Sequence, residues 1–470
     1  MPADSEDLVY LSATEAMRLF AARELSPVEL MEAVIDRTEK VEPRINAFTE
    51  RLFDEALEQA REAERVYGGT AGREPRPLEG VPLALKEKHG IAGRSLTEGS
   101  LANEGNVAAE NSPLTDRVLA SGAIVHARTT TPEFSIAGFT WTRKWGVTRN
   151  PWHLESSPGG SSGGSGASLA AGTSLLASGS DIGGSTRIPA AYNGVVGFKA
   201  PYGRIPGNPP LAADFYRGDG PLARTVDDCV AFANVLIGPD PRDHTSLRPS
   251  IQLPTAYEPA AGMRIALCVG LGDYEVDAEM EANTRAAAQA LADAGAVVEE
   301  IELPWRRADV GRAVASHFAN MFARTVEDAT EGKRELLSPY TQLFLEQMEK
   351  VRAGMHFFDG VRIEAALQRQ LAEAMAPFDA LLCPTTRVPA IPAKPEITSD
   401  ESLDVALTSP FNINNRCPVL AVPSGHAASG IPTGVQIVGH TYDDATVFRV
   451  GKALETTRPW AYGPDHRPTL

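Results

Sequence analysis

The chain has 470 residues, with 44 Lys and Arg against 61 Asp and Glu, a formal net charge of −17. That balance excludes the basic footprint of a nucleic-acid binder, and 43% hydrophobic against 22% charged residues excludes a disordered chain. No window approaches the roughly 20 apolar residues of a membrane-spanning helix, so no membrane partner is expected.

Asp4, Glu6 and Asp7 stand where a secretory leader carries Lys or Arg, which predicts a cytoplasmic protein. Ser12-Ala13-Thr14-Glu15 reads as a capping box, and Ser26-Pro27-Val28-Glu29 joins an N-cap serine to a proline at the first helical position. Leu30, Met31, Val34, Ile35 and Val41 continue at helical spacing, predicting an amphipathic helix from about 27 to 41. Leu52, Phe53, Ala56, Leu57, Ala60 and Ala63 repeat the pattern in a third helix.

From about residue 80 strands and helices alternate. Strands are predicted at Val81 to Leu85, Ala123 to Ala127, Arg264 to Val269, Ala296 to Ile301, Ala380 to Cys383, Val419 to Val422 and Gly434 to Val438. Helices are predicted near 114–121, 165–175, 225–237, 277–294, 308–327, 357–376 and 442–456. The alternation argues for a layered α/β sheet, with the Pro-rich stretches 205–211 and 384–395 as surface connections. Cys229, Cys268, Cys383 and Cys417 are scattered, with no C-x-x-C spacing, so they read as reduced thiols rather than a metal site or disulfide framework.

The densest local feature is Pro158 to Ser168, a Gly/Ser run leading into an apolar segment and then a second glycine turn, Gly179 to Pro189. A flexible linker would join domains; loop glycines beside a helix start instead mark close backbone approach. A phosphate loop is excluded because no Lys lies between Lys144 and Lys199. The G-x-S-x-G elbow is excluded because Thr186-Arg187 follow Ser185. No Lys has Ser three positions before it, so S-x-x-K is absent too. What remains is a serine, Ser185, at the end of a run of amides from Ile182, Gly183, Gly184 and Ser185 that converge on an oxyanion. The nine His are scattered, so a desolvated lysine is the alternative base. Lys86, directly after an apolar strand, is that candidate; composition alone favours a strand-end lysine reaching for water.

These residues resemble the amidase signature family. The likeness is carried by Gly80 to Lys86, Thr131-Pro132-Glu133-Phe134, Thr148 to Trp152, Gly159 to Ser165, Gly179 to Pro189, Gly194 to Lys199, Gly220 to Thr225 and Gly434 to Gly439. It implies one α/β domain over 1–470, a large mixed sheet covered by helices on both faces. An N-terminal helical segment (1–75), a signature core (80–240) and the remainder of the sheet and helices (241–470) would compose it. It further implies a Ser-cisSer-Lys triad, with Ser185 as nucleophile, Ser161 as bridging serine in a cis peptide and Lys86 as base, while Ser162, Asp181 and Arg187 orient the loops. No metal or organic cofactor is implied.

By the same resemblance Ser135-Ile136-Ala137-Gly138 lies where family members line the acyl site. Trp141 and Trp145 follow it, as an apolar mouth or as core. Lys86-Glu87-Lys88-His89 departs from the more usual Asp and Asn after the base, and Phe411 to Pro418 departs from a Gly-containing turn. The expected protein is a stand-alone amidase, monomer or homodimer, cleaving small aryl or alkyl amides, with ester or carbamate (urethane) cleavage. The alternative is the glutamine-hydrolysing A subunit of a glutamyl-tRNA amidotransferase, from which Thr131-Pro132-Glu133-Phe134 leans away. A catalytically dead binding protein of this fold would have no need of Lys86, Ser161 and Ser185 together.

Overall fold

Apolar residues alternate between two cores along the strands of one sheet. Ile265 and Leu267, with Ala380 and Leu382, belong to one core cluster, whereas Ala266, Leu381 and Cys383 belong to the other. That period of two is what a sheet buried on both faces requires. The computed structural model describes residues 5–396, 404–460, 462, 463 and 466–470.

The strands are β1 (Phe48–Arg51), β2 (Pro82–Lys86), β3 (Ile124–Thr129), β4 (Trp141–Thr142), β5 (Gly146–Val147), β6 (Leu176–Asp181), β7 (Val196–Lys199), β8 (Gly218–Ala223), β9 (Arg264–Leu267), β10 (Val297–Glu300), β11 (Ala380–Pro384), β12 (Val419–His426) and β13 (Pro432–Gly439). Apart from the small β4–β5 pair they form an 11-stranded sheet ordered β1-β3-β2-β6-β8-β7-β12-β13-β11-β9-β10. Pairing is parallel for β3-β2-β6 and β11-β9-β10 and antiparallel elsewhere, so the sheet is mixed.

Each strand predicted from sequence is present, but β1, β4, β5, β6, β7 and β8 are additional. The helix expected near 165–175 is Gly163–Ala170, because a turn with Gly172 at φ +73° ends it before β6 begins at Leu176. The one expected at 308–327 breaks at Met321 into Arg307–Asn320 and Phe322–Ala329. Pro339–Gly354 is a further helix. Ser26 and Glu29 form the full capping box. At Ser12 only half of it exists: Ser12 Oγ accepts from the Glu15 N–H, whereas the Glu15 carboxylate turns to Arg18. The helix Ala13–Ala22 is docked through Asp228, whose carboxylate accepts from the Ala13 and Thr14 amides at 2.8 and 2.9 Å.

The stretch 384–395 is a surface connection only at its end, where Pro392, Lys394 and Pro395 are exposed; before that, buried Ile391 accepts a hydrogen bond from the Ser157 amide, and Val388 accepts one from the Tyr192 hydroxyl. All four cysteines are free and buried, and burial pushes each thiol pKa up. Among the described residues no helix is long and apolar enough to cross a membrane.

The parallel register of β2 with β6 fixes the site. Leu83 pairs with Leu176 and Ala84 with Ala177, so β6 runs on past the end of β2 and Lys86 comes to lie beside Ser178 and Ser180.

Candidate active site

Lys86 ends β2 with none of its side chain exposed, against the composition-based expectation of a lysine reaching for water. Its Nζ lies 2.7 Å from Ser161 Oγ, 3.0 Å from Ser162 Oγ and 3.2 Å from Ser180 Oγ. Burial pushes its pKa far down, Lys88 adds to that, and Asp219 opposes it. A neutral amine carries two N–H donors and one lone pair. Those three capacities match the three hydroxyl oxygens around Nζ.

Ser161 follows a cis peptide at Gly160–Ser161. Gly160 is required there by close approach: a Cβ would sit 2.2 Å from the Phe139 carbonyl oxygen and 2.7 Å from that of Ala137. One residue on, the Ser162 amide donates to the Ser185 carbonyl at 3.1 Å, which ties the two serine-bearing loops together. Ser161 and Ser185 line one narrow cavity, in which Ser185 is only 8% exposed.

Of the four amides assigned to the oxyanion hole, Gly184 needs correction. Its N–H donates to Asp181 Oδ1 at 2.8 Å. The carbonyl of the same peptide, on Gly183, accepts from Thr408 Oγ1 at 2.5 Å and Ser409 Oγ at 3.2 Å. With that peptide held at both ends, the amides of Ile182, Gly183 and Ser185 are the ones without a protein acceptor among the described residues. Gly184 adopts φ +130°, and a Cβ there would lie 2.0 Å from Thr408 Oγ1.

Asp181 and Arg187 form the floor of this turn. The Asp181 carboxylate takes the Gly184 and Thr186 amides, a double contact from Arg187 and the Asn412 side-chain amide. Burial alone would raise its pKa, but the Arg187 charge and these donors bring it down to about 2. Arg187 also reaches the Thr408 carbonyl, Gln436 Oε1 and Asn412 Oδ1, at 2.8–2.9 Å. Thr408, Ser409, Asn412 and Gln436 were not legible as site residues. They lie more than 220 residues after the turn they hold, and no local pattern marks them.

The structure does not bring the expected substrate-binding residues to the cavity. Ile136, Ala137 and Trp141 belong to a core cluster, with Trp141 against Phe139 and Tyr340. Gly138 is buried on the same stretch, and Trp145 is half-buried beside Gly99. Of that loop Ser135 lines the cavity, together with Lys88, Arg217 and Phe322, none of them predicted as site residues. On the Gly183 side, a groove of about 680 Å³ is lined by Val310, Gly311, Val314, Ala315 and Phe318 of the helix Arg307–Asn320, and by Phe344 and Met348. It reaches the Gly183 turn through Ser409, bonded to the Gly183 carbonyl, and Phe318, whose ring comes within 3.5 Å of a Cβ built on Gly183.

The Amidase family profile matches residues 29–448 of this chain. An acylamidase of Rhodococcus erythropolis is 33% identical, covering 98% of this chain and 98% of its own. The A subunit of the glutamyl-tRNA(Gln) amidotransferase from Carboxydothermus hydrogenoformans is 31% identical over 96% of this chain and 97% of its own. The crystal structure of a bacterial aryl acylamidase superposes with a TM-score of 0.86 at 26% identity, covering 96% of this chain and 97% of that one.

Proposed function

The chain belongs to the amidase signature family, and from that premise we propose that it hydrolyses the C–N bond of small aryl or alkyl amides through an acyl-enzyme on Ser185. The observation that carries the reading is the buried Lys86 amine, 2.7 Å from Ser161 in the cavity that Ser185 shares. Neutral Lys86 takes the Ser161 proton while Ser161 takes that of Ser185, whose oxygen attacks the carbonyl carbon. The amides of Ile182, Gly183 and Ser185 receive the oxyanion. Collapse of the tetrahedral intermediate breaks the C–N bond, and the proton held on the relay goes to the leaving amine. Water then enters by the same relay, releasing the acid and regenerating Ser185. Ser162, Asp181 and Arg187 orient the loops. Because the amides read the carbonyl and not the leaving group, esters and carbamates of similar shape are substrates as well.

The groove beside Gly183, apolar along the helix Arg307–Asn320 and edged by Asp273, Arg307 and Asp404, supports an aryl or alkyl substrate, and its volume suits a small molecule. We further propose that the chain works in the cytoplasm on its own, with no partner protein. Ser185→Ala should abolish release of p-nitroaniline from an alkyl p-nitroanilide while the circular dichroism spectrum is unchanged; retained turnover would refute the assignment. Turnover of glutamine alone, by a chain that leaves every anilide untouched, would favour the amidotransferase reading.

A further inference from the structure

Beside the proposed catalytic serines stand two cations that carry no proton in the relay, although their charges help lower the Lys86 pKa. Glu87 turns away from the cavity, its carboxylate accepting from the Thr97 and Glu98 amides, and Lys88 turns back to line it. Arg217, just before β8, lines the same cavity with its side chain 8% exposed. Among the described residues its Nε is buried without a hydrogen-bond partner, and its one ion pair is a distant one, Nη2 lying 3.9 Å from Asp219 Oδ1. Asp219 is nearer to His89, at 3.4 Å. Lys88 makes no hydrogen bond or ion pair among the described residues. A guanidinium this buried is ordinarily satisfied by fixed acceptors, as Arg187 is by Asp181, Thr408, Gln436 and Asn412.

Resting on the amidase reading, we propose that Lys88 and Arg217 bind a carboxylate of the substrate, so that the preferred amides are monoanions. The planar fork of Arg217 suits a carboxylate, and Lys88 supplies a point charge beside it. The carboxylates of Asp219 and Glu98 both act on Lys88 against Arg217 and offset part of this field, which suits one negative charge rather than a phosphate dianion. Burial and the neighbouring Arg217 lower the Lys88 pKa to about 8, the direction expected of a cation awaiting a counter-charge.

The test compares butyryl-p-nitroanilide with two carboxylated analogues, succinyl-p-nitroanilide (charge on the acyl side) and 4-butyramidobenzoate (charge on the amine side). At least one analogue should exceed its own uncharged counterpart, butyryl-p-nitroanilide or butyranilide, in kcat/KM by about tenfold or more. That ratio should collapse in Lys88→Met and Arg217→Gln and return in Lys88→Arg. Because any effect of Lys88 on Lys86 acts on every substrate, the ratio is insensitive to it. Neutral amides turned over as well as the anionic ones, or a preference that survives both substitutions, would overturn the carboxylate site and leave the amidase reading standing. No Ser185-dependent turnover of any anilide would overturn both.

Discussion

Arg187 grips Asp181 through two nitrogens, Nε to Oδ2 at 2.9 Å and Nη2 to Oδ1 at 2.8 Å, with neither side chain more than 1% exposed. The same carboxylate holds the Gly184 and Thr186 amides on either side of Ser185. One buried ion pair thus sets the path of the turn that presents the serine. Desolvating two charges is costly, and this pair offsets that cost because Thr408, Asn412 and Gln436 take up the remaining capacity of Arg187.

Removing one partner therefore exposes the full cost. Arg187→Met should lower the unfolding free energy by about 3–5 kcal/mol, the range for leaving a buried charge uncompensated. Urea denaturation measures it, and a loss below about 1 kcal/mol would mean that the pair is not what fixes the turn. The pH dependence has a defined sign. The folded pKa of Asp181, about 2, lies below its ordinary 3.8, so the stabilisation is complete above the ordinary value and is lost as pH falls through about 2. In Arg187→Met this acid-side loss should begin at higher pH.

Lys86 predicts the opposite coupling of activity and stability. Its folded pKa is pushed far below the ordinary 10.5. Between the two values the unfolded chain binds more protons than the folded one, so stability rises with pH across that window and the penalty vanishes above about 10.5. Lys86→Met should remove the penalty, raising the thermal midpoint at neutral pH by an amount that shrinks toward pH 10, while activity falls by at least about 10²-fold. In the unsubstituted chain kcat/KM should fall as pH drops through the folded value of Lys86, because the protonated amine cannot take the serine proton. An active Lys86→Met chain, or one with a lowered midpoint at neutral pH, would contradict this account. Lys199, lowered to about 7 by burial and then by Arg187, adds a slope of the same sign that Lys86→Met would leave in place.

The parts of the fold that were legible are the ones whose strands carry Val, Ile and Leu, such as β12 with Val419-Leu420-Ala421-Val422 and β13 with Val435 and Ile437. Strands β6 (LASGSD) and β8 (GDGPLA) lack β-branched residues altogether and are not predicted from sequence. They are strands because their neighbours press on them: a Cβ on Gly179 would lie 2.6 Å from Leu222, and one on Gly220 2.1 Å from the Phe198 carbonyl. Such crowding is a tertiary property that leaves no trace in local propensity. The glycines and serines of the proposed site stand out in the sequence because they recur in unusual spacing, Gly159 to Ser165 and Gly179 to Ser185. The groove was not, since Val310, Val314 and Phe318 are ordinary apolar residues of an ordinary helix.

That groove yields the last prediction. Val314 is half-buried on the helix Arg307–Asn320, facing the same space as Gly311, Phe344 and Met348. Val314→Trp should fill part of the volume without disturbing the sheet, since Val314 lines the groove and not the cavity of Ser161 and Ser185. For a bulky anilide KM should rise by about tenfold or more, as expected when an apolar contact of about 1–3 kcal/mol is displaced, with kcat little changed. A short aliphatic amide, which does not reach the helix, should keep both constants. Equal losses for both substrates would show that the groove does not hold the substrate's apolar part, because only a shape-dependent block distinguishes the long substrate from the short one.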